Sequence, residues 1–236
     1  MDLAKILETS EMVLVAIGEE FQDSSLDIYN NKDDRNIFEE YTRLEHLKKR
    51  EEDRVDQAYS RLNSLLKNKD YFLVTMCCDD KIYDAGFEKN RIVAPCGSYH
   101  SLQCEDVCTN EIYPTENFKK DIDEGKEPLC PHCRKRLVIN RIGVPRYSEE
   151  GYLKQWEVYT GWLQGSLNKK ICILELGVGL DHPSVIRWPA EKIAYFNQKA
   201  TLIRVHSFLY QIPEELKERG YSIQEDPVIF LTNQIV

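Results

Sequence analysis

Four cysteines carry the clearest chemical signal in this sequence. Cys104 and Cys108 are separated by three residues and Cys130 and Cys133 by two, with 21 residues between the pairs. Two short loops that each turn two sulfurs toward one point supply the donor set of a tetrahedral Zn²⁺. Gly125 and Pro131 favour turns beside the second pair. Four thiolates leave no open coordination position, so such a metal holds the fold and does not polarise a substrate. Two disulfides or four free thiols are the alternative, and a reducing compartment disfavours the disulfides. The remaining cysteines pose a second question. A thiolate is a good nucleophile where a positive group lowers its pKa, which makes Cys77 and Cys96, with His100 close in sequence, candidates for chemistry or for a reversible disulfide. The simpler reading makes Cys77 and Cys78 small buried hydrophobes and His100 a loop residue bonded locally. Cys172 lies inside an apolar run and reads as core. His46, His132 and His182 carry little chemical signal.

These groups need a scaffold, and the composition supports one. The chain has 236 residues, 42% of them hydrophobic, which fits one α/β domain with a small inserted metal module. The net charge of −9 speaks against a broad nucleic-acid surface. Lys48-Lys49-Arg50 reads as a solvated face, and Arg134-Lys135-Arg136 is the basic patch to test against an anionic partner. No signal-peptide pattern and no membrane-length apolar run is found, so the expectation is a cytoplasmic protein that does not engage a membrane.

Apolar runs place the elements. Residues 2–9 read as a short helix and Met12–Ile17 as a buried strand ending at Gly18. An amphipathic helix or helix pair is expected from Asp34 to Lys67, with Ile37, Tyr41, Leu44, Val55, Tyr59, Leu62 and Leu66 on its apolar side. That side packs on the core or receives a partner. Strands are expected at Tyr71–Thr75, Arg91–Val93, Ile171–Leu176, Thr201–Val205 and Val228–Leu231, and the chain leaves the metal module through Leu137–Ile139. Helices are expected at 81–87, 149–164 with Leu153, Trp156, Tyr159 and Leu163 inward, from near Ser184, and from Pro213 to Arg219. Strands alternating with helices imply a Rossmann-like, mostly parallel sheet with helices on both faces. The main domain is expected from residues 1–95 and 140–236, with the zinc-binding module inserted at 96–139.

This order of features resembles the sirtuins. It comprises a strand ending in glycine, a helical insert, Thr75-x-x-x-Asp79, Gly97 ahead of the cysteine pairs, and a strand ending Gly177-Val178-Gly179. Leu174–Gly179 with Pro183, Ile186 and Pro189, together with Lys69–Phe72, Ala85–Phe87 and Gln103-Cys104, is most similar to the diverged bacterial sirtuins that accompany macrodomain proteins in lipoylation-linked operons. The resemblance implies a Rossmann-like domain, a zinc module, and NAD between them, used for lysine deacylation or protein ADP-ribosylation. It assigns Gly18, Thr75, Cys77, Asp79, Gly97, Gly177, Gly179 and His206 to the cofactor cleft and Cys96 to the position of the catalytic base. It also exposes departures. The second glycine of the phosphate loop is Glu20, the asparagine that meets the nicotinamide ribose is Cys77, the base is Cys96, and the asparagine that meets the adenine ribose is His206.

Two carboxylates at a phosphate cradle repel a pyrophosphate. The expectation is therefore a zinc-binding scaffold or regulatory protein with a degenerate cleft, partnered by a macrodomain or lipoylation-linked protein. The alternative is an NAD-dependent ADP-ribosyltransferase or lysine deacylase that binds NAD or ADP-ribose. A redox sensor in which Cys77, Cys78 or Cys96 forms a reversible disulfide is a third reading, with Cys77 and Cys96 the pair to test.

Overall fold

The computed structural model describes residues 1–22 and 54–234. Its main sheet contains β1 (Met12–Ile17), β2 (Asp70–Thr75), β3 (Ile92–Val93), β7 (Ile171–Leu176), β8 (Thr201–Val205) and β9 (Gly220–Ile223), in the order β3-β2-β1-β7-β8-β9. Every pairing in it is parallel. The chain runs outward from β1 in one direction and, from β7, in the other, so the order reverses between these two strands. Ligands of open α/β sheets gather at the carboxyl ends of strands at such a reversal.

Strand β1 shows why both faces are covered. Met12, Leu14 and Ala16 enter one core cluster and Val13, Val15 and Ile17 the other, as side chains alternating across a pleat must. All six are buried, and a strand buried on both faces reads as a continuous apolar run. Helices Leu3–Thr9, Arg54–Leu65 and Pro227–Thr232 cover one face, while Leu153–Gln164 and Arg187–Phe196 cover the other. Full burial of one such Val, Ile or Leu contributes about 1.5–3 kcal/mol.

Between β3 and β7 the chain builds a second sheet, β5-β4-β6, from β4 (Gly97–Cys104), β5 (Ile112–Pro114) and β6 (Leu137–Arg141). Both of its pairings are antiparallel, and the β4–β6 register shifts between Ser98 and Leu102.

The expected fold class is therefore correct, with several corrections inside it. Val228–Leu231 is helical, because Asp226 caps the amides of Val228 and Ile229 at 2.8 and 2.9 Å and Pro227 sits at the first turn. The last strand is instead β9. Glu214–Arg219 forms a 3-10 helix, and the helix expected from near Ser184 begins at Arg187. Leu153 is exposed while Tyr159 is buried. Of the long helix, Arg54–Leu65 is present and buries Val55, Tyr59 and Leu62. Ile37, Tyr41, Leu44, His46 and Lys48–Arg50 lie outside the described residues.

Candidate functional site

The carboxyl edge of the main sheet is assembled by close backbone approaches. Gly18 donates to Leu176 O at 2.9 Å, and a Cβ on Gly18 would lie 2.2 Å from Gly177 O. Gly177 has φ +67°, and a Cβ there would stand 2.8 Å from Glu20 Cβ. A Cβ on Gly179 would meet the Glu19 carboxylate at 3.1 Å. These glycines let the turn Glu19–Phe21 fold down onto the Gly177–Gly179 turn.

The acidic side chains of that turn are then held by backbone donors. Gly179 N–H donates to Glu19 Oε2 at 3.0 Å, and Ser207 N–H donates to both Glu20 oxygens at 3.0 and 3.2 Å. His206 Nδ1 lies 3.0 Å from Glu20 Oε2 and within 3.1 and 3.2 Å of the amides of Phe208 and Leu209. With a proton that nitrogen donates to Glu20; without one it accepts from the amides. Burial lowers the imidazole pKa from its ordinary value, and the Glu20 charge opposes that shift. Arg187 ties the two flanking loops together, donating to Val178 O and Leu209 O at 2.8 Å each. Trp188 beside it, Leu180 and Phe208 are exposed. Beneath this edge, Arg204 pairs bidentately with buried Glu175, with Glu191 and with Gln211 O.

On the second sheet the four cysteines converge as their spacing predicts. The Sγ atoms of Cys104, Cys108, Cys130 and Cys133 all lie within 4.8 Å of one another. Cys104 and Cys133 are 3.4 Å apart and Cys108 and Cys130 3.5 Å, with no disulfide. Zinc–sulfur bonds of about 2.3 Å in a tetrahedron put sulfurs about 3.8 Å apart, so this donor set fits Zn²⁺. Burial works against the Cys130 thiolate, but the amides of Cys133 and His132 and the Cys108 thiol bring its pKa down to about 6.

No protein-family model matches the chain. It is 23% identical over 194 residues to a protein ADP-ribosyltransferase of Staphylococcus aureus, covering 77% of this chain and 61% of that protein. It is 29% identical over 166 residues to a probable bifunctional ADP-ribose hydrolase/ADP-ribosyltransferase of Fusarium oxysporum, covering 63% and 28%. The match thus spans less than two thirds of either relative. Among solved structures, a sirtuin studied for its substrate affinity superposes with a TM-score of 0.62 at 18% identity, covering 98% of this chain and 96% of that one. Sir2 with a p53 peptide and NAD⁺ superposes at 0.60 and 17%, covering 96% and 93%. This is a sirtuin fold.

Within the sirtuin fold, Gly18, Thr75, Cys77, Asp79, Gly177, Gly179 and His206 are brought to the carboxyl edges of β1, β2, β7 and β8, but the side chains of Thr75, Cys77, Asp79 and His206 bond within the chain. Thr75 Oγ1 accepts from Cys77 N–H at 3.0 Å, and Asp79 Oδ1 from Lys81 N–H at 3.2 Å. Cys77 donates to Gly18 O at 3.4 Å and is buried on one face of the sheet. Cys96 is buried on the other, where Cys78 donates to its carbonyl at 3.3 Å. The thiol beside Cys96 is therefore Cys78 and not Cys77, because in the segment after β2 these two neighbours pack into opposite core clusters. Burial pushes the Cys77 and Cys78 thiols well above their ordinary range, which suits inert packing groups. Gly97, at φ +105°, would place a Cβ 2.3 Å from Asn140 O, so its glycine serves the pairing of β4 with β6.

The sequence reading missed one arrangement here. Asp80, buried and at φ +60°, accepts on Oδ2 from Ser98 Oγ, from His100 N–H and from His100 Nδ1, each at 2.9 Å. The register shift in β4 frees the His100 amide for this contact and leaves its imidazole about half exposed.

Proposed function

We propose that this chain is a zinc-stapled sirtuin-fold protein whose nucleotide cleft is closed in the free state and which acts by binding and regulating a protein partner. The observation that carries this reading is the seating of the Glu19 and Glu20 carboxylates on the Gly179 and Ser207 amides. In a nucleotide-binding sheet those edge donors face the ligand. A charge-assisted hydrogen bond contributes about 1.5–3 kcal/mol, and micromolar affinity corresponds to about 8 kcal/mol. Diverting a few such donors to the chain's own carboxylates therefore erases tight binding. The relatives' names, an ADP-ribosyltransferase and a probable ADP-ribose hydrolase/ADP-ribosyltransferase, support a partner from ADP-ribosylation chemistry, and the similarity to macrodomain-linked sirtuins favours a macrodomain or lipoylation-linked protein in the cytoplasm. The inserted segment 96–139 serves as the module that holds structural Zn²⁺. Calorimetry of the zinc-loaded chain with NAD and with ADP-ribose tests the reading. No heat at millimolar ligand is expected, and a dissociation constant well below millimolar would overturn it.

A second reading, NAD-dependent protein ADP-ribosyl transfer, draws on the relatives' names and on one feature of this chain. The His100 imidazole is oriented by a buried carboxylate at the carboxyl end of β2, the arrangement of a general base. NAD, when bound, would supply the ADP-ribosyl group, and His100 would accept the proton of the acceptor hydroxyl. Nicotinamide release that is abolished by His100→Gln would establish this reading over the first.

A further inference from the structure

We propose that the amino edge of the main sheet, around the entries to β7 and β8, receives a protein partner, and that the partner presents there an acidic segment carrying apolar side chains. The inference rests on the partner-binding reading above and gives it a surface.

All pairings in this sheet are parallel, so the amino ends of its strands share one edge. Five of the six strands begin within two residues of a Lys or Arg, since Arg91 precedes β3, Lys69 β2, Lys170 β7, Lys199 β8 and Arg219 β9. The opposite edge carries acids, with Glu19-Glu20 after β1, Asp79-Asp80 after β2 and Glu225-Asp226 after β9. A chain of net charge −9 thus sets a row of cations along one edge. Arg91 is paired with Asp70, and the positive charge concentrates at β7 and β8, where residues 165–170 and 192–200 hold four lysines and no acid.

Apolar side chains stand among these lysines. Leu167 is 75% exposed, Phe196 78% and Tyr195 53%, and the two rings meet edge-on with centroids 5.2 Å apart. The backbone beneath them is tied down. The Asn197 side-chain amide donates to Ser166 O and Lys169 O at 3.1 and 3.0 Å, and Lys199 Nζ donates to Asn168 O at 2.8 Å. Arg219 donates to Asn197 O at 2.7 Å and to Tyr195 O at 3.2 Å. An exposed apolar cluster rimmed by charge marks an interaction surface, and a base that is already ordered lowers the cost of binding. Cations around aromatic anchors select an acidic partner by complementarity. Glu11 and Glu218 stand at the same edge, before β1 and β9. A continuous anionic membrane would meet them, whereas a protein segment passes between them.

The test follows the fluorescence anisotropy of a labelled peptide of repeating Glu-Glu-Phe-Glu-Leu-Glu units against the zinc-loaded chain. A peptide with Lys in place of Glu and one of Glu alone are the controls. The acidic apolar peptide is expected to bind at least tenfold more tightly than either control, and more weakly as salt rises. Lys169→Glu/Lys170→Glu and Phe196→Ser should each weaken it at least tenfold. Lys120→Glu/Lys126→Glu, which alters exposed lysines of the zinc module, should change nothing. Zinc content and a cooperative melt confirm the fold of each variant. No binding of the acidic apolar peptide overturns the proposal. Binding that the amino-edge variants leave unchanged overturns it too, and leaves the partner-binding reading standing with another face. Binding of the chain to phosphatidylserine vesicles and not to the peptide, abolished by the same substitutions, overturns it in favour of a membrane contact. NAD binding well below millimolar overturns the closed-cleft reading and leaves this surface untouched. Should the charge reversals fail to fold, Lys169→Gln/Lys170→Gln replaces them with an expected loss of at least threefold, and no loss overturns the proposal.

Discussion

Polar groups converge at two places in this molecule, and each place resolves its unbalanced charge in the opposite way. At the turns of the second sheet four thiols meet within 4.8 Å of one another. At the carboxyl edge of the main sheet, amides, an imidazole and an arginine meet carboxylates from the same chain. The first place offers only donors for a cation, while the second pairs most of its polar groups within the chain. Within one sirtuin-like fold, the first place presents donors that fit a cation and the second seats its carboxylates on the chain's own amides.

The largest effect is expected from breaking the first place. Chelation, or Cys130→Ser, removes a contribution on the order of 10 kcal/mol. Hydrogen exchange should then accelerate across Gly97–Arg141 while β1 and β7 stay protected; unchanged exchange in β4 and β6 would show that the cysteines are not a structural metal site. Next comes the self-supplied pairing under the edge. Arg204→Ala strands Glu175 in the core and should cost about 3–5 kcal/mol in chemical denaturation. Gly18→Ala forces a Cβ to within 2.2 Å of Gly177 O and should cost about 1–3 kcal/mol, with the loss localised at the carboxyl edge. A tolerated alanine would mean that the two turns are not locked together.

The smallest effect sharpens the second place. His206 has a folded pKa lowered from its ordinary 6.5, so the unfolded chain binds the proton more readily, and the contribution of this group to stability is lost as pH falls through that value. Glu20 opposes the lowering. Glu20→Gln should therefore move the His206 imidazole titration, followed by NMR, to still lower pH. An upward shift would show that the pair is not formed in solution.

Much of this was legible because it is local. Met12–Ile17 and Ile171–Leu176 are uninterrupted apolar runs, and burial on both faces of a parallel sheet demands that pattern. The cysteine spacing reports a local geometry in the same way. Val228–Leu231 was misread because a short apolar run fits a strand or a buried helix, and Asp226 with Pro227 decided it. The strand β9 escaped because Gly220–Ile223 is a partly exposed edge with no apolar run. The carboxylate contacts were out of reach for a different reason. Glu19 meets an amide 160 residues away and Glu20 one 187 residues away, so the sequence displayed the acidic pair as a source of repulsion and hid the donors that receive it. The choice between Cys77 and Cys78 likewise depended on which core cluster each thiol enters past the end of β2.

One exposed side chain gives the molecule a built-in optical readout. Of the three tryptophans, Trp156 and Trp162 are half-buried against the core, and Trp188 is 54% exposed, next in the chain to the arginine that ties the two edge loops. Its indole is the one most open to a soluble quencher. Any event that moves those loops should therefore change the quenchable fraction of the fluorescence without a label, while the emission of the other two tryptophans monitors the integrity of the core.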